Sequence, residues 1–186
     1  MNILQGLFRR VGTSGATGDA YTEPRSGLVF PMELGGLHRR ATGRTYAEGD
    51  RTGEFIPYGE DDAEATIYVT SVAQAEFPDG GDSEFVLGEL ESAMAAVREM
   101  QRLGRYQSVK FFAAAPERLG SDPGNLIWAR GAFFTVSDGR PMISFTYITA
   151  LRCRVIKLRI SASDPDNKRL MNFPHAVGDL ISRQRS

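Results

Sequence analysis

The sequence predicts an α+β protein, an antiparallel sheet sandwiched between helices in an α/β/α arrangement. Three observations predict it. The block from Asn125 to Ala162 reads as three successive strands with almost nothing between them, and strands joined by tight turns pair antiparallel. Two helical patterns, one central and one near the C-terminus, stand apart from the strands, as in α+β folds. The chain of 186 residues, 41% hydrophobic and 24% charged, matches one domain with an ordinary globular core.

Ile3, Leu4, Leu7, Phe8 and Val11 recur at helical spacing and are followed by Arg9-Arg10 and by the Gly-rich stretch Gly12 to Asp19. Residues 1–27 therefore read as an amphipathic segment with a flexible linker, and residues 28–184 as a single α+β sandwich domain. The charges follow the apolar residues, and Gln5 and Gly6 break the run, so the segment does not read as a secretory signal. No stretch of the sequence approaches the roughly 20 apolar residues of a membrane span.

Leu28-Val29-Phe30 is a short strand limited by Pro31. Leu34-Gly35-Gly36-Leu37 is a turn, and His38 to Ala47 an extended, weakly alternating strand. Thr52-Gly53 is turn chemistry. Glu54 to Tyr58 is a short strand ending near Pro57, Gly59 to Glu64 an acidic loop, and Ala65 to Val72 a strand rich in β-branched residues. Ser83 to Leu103 is the strongest helix: Val86, Leu90, Ala93, Val97 and Met100 line one face, Asp82 or Ser83 supplies the N-cap, and Gly104 terminates it. Tyr106 to Ala114 is a strand and Ala115 to Gly124 a loop.

The three-strand block comprises Asn125 to Val136, Pro141 to Thr149 and Leu151 to Ile160, with Ser137 to Arg140 turning between the first two. Its last strand changes parity: Arg152 and Arg154 share one face, Lys157 and Arg159 the other. A one-residue bulge near Val155-Ile156 would gather all four cations on one face and turn Cys153, Leu158 and Ile160 inward. That bulge is expected. Ser163-Asp164-Pro165 opens the last helix, whose apolar face is Leu170, Phe173, Val177, Leu180 and Ile181; Pro174 is expected to kink or split it.

Net charge is −1, which gives no global pull toward nucleic acid or membrane. The distribution is uneven: residues 51–100 carry 12 acidic against 2 basic residues, and residues 101–186 carry 14 basic against 6 acidic. Such blocks neutralise each other in a fold or orient a partner.

Chemistry-bearing patterns are sparse. His38 and His175 are far apart in sequence, and Glu60-Asp61-Asp62-Ala63-Glu64 lacks calcium-loop spacing, so no metal or other cofactor is expected. Gly12-Thr13-Ser14-Gly15-Ala16 lacks the final glycine of a nucleophile elbow, and the Gly12, Gly15, Gly18 spacing has no preceding strand or lysine to make a phosphate loop. Cys153 reads as a small core hydrophobe rather than an activated thiolate. Phe111, Phe112, Trp128, Phe133, Phe134, Phe145 and Tyr147 read as core.

The strand–helix order, with a last strand feeding a C-terminal helix, resembles the Mog/PsbP-like superfamily. So does the local text at Phe30-Pro31, Gly35 to Arg39, Tyr46, Gly49, Gly53, Tyr58, Ile67-Tyr68-Val69, Arg152 and Lys157-Leu158-Arg159, which is similar to bacterial proteins of that fold. The resemblance implies an antiparallel sheet between helices and a role as a binding or assembly factor; it transfers no catalytic residues.

The sequence thus reads as a non-catalytic interaction module in the cytoplasm. Arg152, Arg154, Lys157 and Arg159, four cations within eight residues, are the expected partner-binding surface, facing an acidic protein. Nucleic acid is not an expected partner. The alternatives are an enzyme, hydrolase-like, with a dispersed site, and a peripheral membrane protein using residues 1–11.

Overall fold

Five long strands pair in unbroken antiparallel register and carry everything else. The computed structural model describes residues 20–49, 51–73, 76–137 and 139–185. The expected amphipathic segment and its linker to Asp19 lie outside the described residues, as does Asp138 of the expected turn. In chain order the elements are β1 (Tyr21–Thr22), β2 (Val29–Phe30), β3 (Glu33–Leu34), β4 (Leu37–Arg39), β5 (Arg44–Glu48), β6 (Arg51–Glu60), β7 (Ala63–Val72), α1 (Glu84–Arg102), β8 (Ser108–Phe111), β9 (Ala115–Arg118), β10 (Ile127–Ser137), β11 (Arg140–Leu151), β12 (Arg154–Ala162) and α2 (Arg169–Arg183). Strands β1 and β2 pair alone. The other ten form one sheet in the order β3-β4-β6-β7-β12-β11-β10-β8, with β5 added to β6 and β9 to β10.

This corrects the α/β/α sandwich. The fold is mostly β: of the described residues 46% are strand and 21% helix, the latter in two helices. Each face of the sheet carries one of them, which is too little to make a helical layer over ten strands. The sequence reading went wrong where turn residues sit inside strands. Thr52-Gly53 and Gly59-Glu60 are part of β6, and Ala115 to Arg118 is β9 rather than loop. Pro57 does not end β6, because it falls where the outer neighbour changes from β4 to β5. Its carbonyl accepts from the Arg40 amide on that outer side, so the missing proline N–H removes no bond to β7.

Helix α1 matches its pattern. The Ser83 hydroxyl accepts from the Val86 amide at 3.3 Å, and Gly104 follows the end with φ +72°. Its Val86 and Leu90 pack on Ala129, Ile148, Ala150 and Val155, and its Val97 and Met100 on Tyr106 and Phe133. Helix α2 lies on the opposite face. Leu170, Phe173, Val177 and Ile181 meet Ile56, Ile67, Trp128, Tyr147, Ile156 and Leu158. The helix starts later than Ser163-Asp164-Pro165 predicts, and it runs through Pro174 without a break. Pro174 takes away one donor, that of the Leu170 carbonyl, and its ring is buried in the core. Trp128, Phe133 and Tyr147 are core as expected, whereas Phe112 is 46% exposed.

Two close approaches fix α2. A Cβ on Gly35, in the β3–β4 turn, would fall inside the Phe173 backbone. A Cβ on Gly178 would stand 2.5 Å from the Leu119 carbonyl carbon and oxygen. The loop after β9 is then clamped by polar bonds. The Gly120 amide donates to His175 Nδ1 at 2.9 Å. Asp179 accepts from the Ser121 amide at 2.8 Å and from Asn125 Nδ2 at 3.0 Å. These bonds to its charged form, the Ser121 amide foremost, lower the Asp179 pKa below the usual aspartate value.

Two outcomes are expected in denaturant titrations. Gly178→Ala, worth a gain of about 1 kcal/mol in a free helix, will instead destabilise the protein by about 2 kcal/mol, because the added methyl overpacks a backbone contact. Asp179 favours folding fully above the carboxylate pKa of the unfolded chain and loses that contribution as pH falls through its lowered folded value. Asp179→Asn will therefore lower stability at neutral pH and flatten its decline on acidification; an unchanged acid limb would show that Asp179 does not contribute.

Candidate functional site

The register of β12 decides where the four predicted cations go. Leu151 pairs with Arg154, Ala150 with Val155, and so on to Ile143 with Ala162; the pairing with β7 is equally continuous. The expected bulge is absent. Arg152 and Cys153 are instead the two central residues of a tight hairpin turn, with φ +50° and +56°, the signature of a type I′ turn. The strand therefore begins at Arg154, and strict alternation puts Arg154 on the α2 face with Ile156, Leu158 and Ile160. Lys157 and Arg159 fall on the α1 face with Val155. The four cations do not share a face. Cys153 is not a core residue either: it is exposed at the tip of the turn.

Lys157 and Arg159 are half-buried on the α1 face. The Lys157 ammonium stands 4.6 Å from the Tyr68 ring centre and the Arg159 guanidinium 5.7 Å from that of Phe133, both within cation–π range. Burial raises the Tyr68 phenol pKa above its usual value. Arg159 Nη2 also donates to Tyr106 Oη at 3.2 Å. Each of these cations lies over an aromatic ring, so this half of the predicted stripe is packed rather than displayed.

Arg152 and Arg154 lie at the end of the sheet with two arginines that the linear sequence keeps far away. Arg154 Nη2 donates to the Arg25 carbonyl at 2.6 Å and Nη1 to the Arg152 carbonyl at 3.3 Å. Arg152 Nη2 donates to the Arg185 carbonyl. Gln184 bonds both polar groups of Val29, its Oε1 accepting from the amide at 2.7 Å and its Nε2 donating to the carbonyl at 3.0 Å, which seats the end of α2 beside β2. Arg25, Arg152 and Arg185 are exposed and Arg154 is half-buried.

Two carboxylates touch the group. Asp79 accepts from the Arg152 amide at 2.7 Å and stands 3.9 Å from Arg185 Nε. Glu23 is buried and spends its oxygens on the Arg25 and Ser26 amides and the Ser26 hydroxyl. Arg152, Arg154 and Arg185 bring three guanidinium groups here against these two carboxylates, with the exposed Arg25 beside them in the β1–β2 turn. Arg25 and Arg185 were missed in the sequence. The turn residues Pro24-Arg25-Ser26-Gly27 are legible, but nothing in one dimension brings residues 25, 152 and 185 together.

The uneven charge blocks meet in places. Asp62 pairs with Arg169 at 2.7 Å, and Asp79 approaches Arg185. Among the described residues no group of three His, Cys, Asp or Glu is placed to hold a metal, and no helix is long and apolar enough to cross a membrane. His38 Nδ1 meets Glu60 Oε2 at 2.9 Å on the surface, and His175 serves the loop clamp.

No protein-family model matches the chain, and no curated protein matches it.

The turn carries its own test. Two consecutive side-chain-bearing residues at positive φ cost about 1 kcal/mol each or more. Cys153→Gly relieves one of them, less the extra freedom glycine gives the unfolded chain. It is expected to raise stability by about 0.5–1 kcal/mol in urea titration, with the sheet intact by circular dichroism.

Proposed function

We propose that the protein is a non-catalytic interaction module that holds an acidic protein surface against the arginine end of its sheet. The observation that carries this reading is the convergence of Arg25, Arg152, Arg154 and Arg185 from three distant chain segments. Arginine suits the task, because its planar fork pairs bidentately with carboxylates and is weakly hydrated for a cation. The strained turn that presents Arg152 favours the reading too, since non-glycine residues at positive φ cluster where structure serves recognition.

This narrows the basic surface expected from the sequence to Arg152 and Arg154 and extends it with Arg25 and Arg185. Lys157 and Arg159, packed against rings, are left out of it. The role rests on these arginines rather than on the superfamily resemblance. A cytoplasmic setting belongs to the same reading: an exposed single thiol, Cys153, suits a reducing compartment.

The test is fluorescence anisotropy with a labelled Glu/Asp-rich peptide at two salt concentrations. Arg25→Glu/Arg152→Glu/Arg185→Glu is expected to weaken binding by about tenfold or more at low salt and to flatten the salt dependence. The control Arg105→Glu/Lys110→Glu/Arg140→Glu makes the same charge change at the opposite end of the sheet. Equal losses in the two variants would mean that net charge, not this surface, binds the peptide.

A further inference from the structure

The ten-stranded sheet ends in strands with no outer neighbour, and such edges invite a further strand unless something blocks them. Strands β8 and β9 share the outer side of β10, but their registers are offset by one residue: Phe111 pairs with Phe133, whereas Ala115 pairs with Arg130. The extra residue makes a bulge, and Lys110 and Pro116 add an exposed charge and a missing amide beside it. On the opposite side of the sheet β3 covers β4 and is itself two residues long. Strand β5, which pairs only with β6, carries none of these devices. Its five residues, Arg44-Thr45-Tyr46-Ala47-Glu48, include no proline or lysine, and its register with β6 is unbroken.

The hairpin decides which backbone groups face outward. Glu48 lies opposite Arg51 with two residues between them, so this closing pair is hydrogen-bonded. Bonded and non-bonded pairs alternate along an antiparallel ladder. Arg44, Tyr46 and Glu48 therefore turn their amides and carbonyls to β6, and Thr45 and Ala47 turn theirs outward. Both outward residues are exposed, and among the described residues nothing bonds their amides. The Tyr46 side chain leaves this edge clear. Its Oη bonds Thr70 Oγ1, and it lies over Gly53, where a Cβ would stand 3.0 Å from that oxygen.

We propose that β5 pairs with β5 of a second copy, antiparallel about Tyr46, in a twofold-symmetric dimer. The register makes the strand its own complement. Thr45 faces Ala47 of the second copy and Ala47 faces its Thr45, so the outward amides and carbonyls satisfy each other in both directions. At each end of the pairing Arg44 falls opposite Glu48 of the other copy, and unlike charges directly opposite favour the pair. This charge complementarity selects a second copy as the occupant. The dimer joins two ten-stranded sheets edge to edge and uses none of the arginines of the proposed partner surface. A five-residue strand from each copy is a small interface, so the affinity belongs in the range of about 10–100 µM.

The test is sedimentation equilibrium of the full chain from about 5 to about 500 µM, with hydrogen exchange of the Thr45 and Ala47 amides followed over the same range. A monomer–dimer transition is expected, with both amides slowed only where the dimer forms. Ala47→Pro removes an outward donor without touching the β6 ladder; it is expected to fold, by circular dichroism, and to stay monomeric. Arg44→Glu sets like charges opposite each other and should weaken the dimer about tenfold, and Arg44→Glu/Glu48→Arg should recover it. If Ala47→Pro does not fold, the charge exchange decides alone. A monomer at every concentration, a dimer that persists in folded Ala47→Pro, or a double exchange that fails to recover association would each overturn the assignment. Slowed Thr45 and Ala47 amides in a monomer would show that another segment covers the edge, and would overturn it too.

Discussion

The two-residue turn at Arg152-Cys153 is the constraint on which the surface chemistry depends. With both residues at positive φ, Leu151 and Arg154 become facing partners, and the side-chain period of two then assigns every later residue of β12 to a face. A shift of one residue would carry Ile156, Leu158 and Ile160 away from α2 and bury Lys157 and Arg159 in their place. The apolar cost of that exchange is about twice the strain in the turn, since each of the three large aliphatic side chains is worth about 1.5–3 kcal/mol on burial and each turn residue costs about 1–2 kcal/mol. The hairpin therefore tolerates two poor turn residues to keep its register.

The same parity separates the cations by environment. Arg152, in the turn, and Arg154, at the first strand position, reach the end of the sheet, where the β1–β2 turn and the last residues of α2 offer carbonyls to hold them. Lys157 and Arg159, further along, meet a central face lined by Tyr68, Phe133 and hydroxyls. One stretch of sequence thereby serves an exposed electropositive edge and a packed central face.

Helix α2 ties these regions together. Phe173 meets Tyr58 in a tilted ring contact, 5.2 Å between ring centres, Gly178 packs against the Leu119 backbone, and His175 and Asp179 hold the loop after β9. Its C-terminal residues deliver Arg185 to the arginine cluster. A substitution that lifts α2 disturbs the electropositive edge as well as the core.

The sequence by itself determined the presence of both helices and their inward faces, narrowed the first N-cap to Asp82 or Ser83, and marked the long strands β7, β10, β11 and β12, because periodicity and capping are local properties of a few adjacent residues. It also exposed the density of cations in β12. It did not reveal that Thr52-Gly53, Gly59-Glu60 and Ala115 to Arg118 are strand, because their pairing is dictated by partners on β7 and β10 rather than by their own propensity. Those additions lengthen and widen a sheet that reaches ten strands, more than two helices can cover. Tertiary structure alone decided which cations are displayed, which are packed, and which distant arginines join them: a side chain's face is set by register, and register is a property of two strands together.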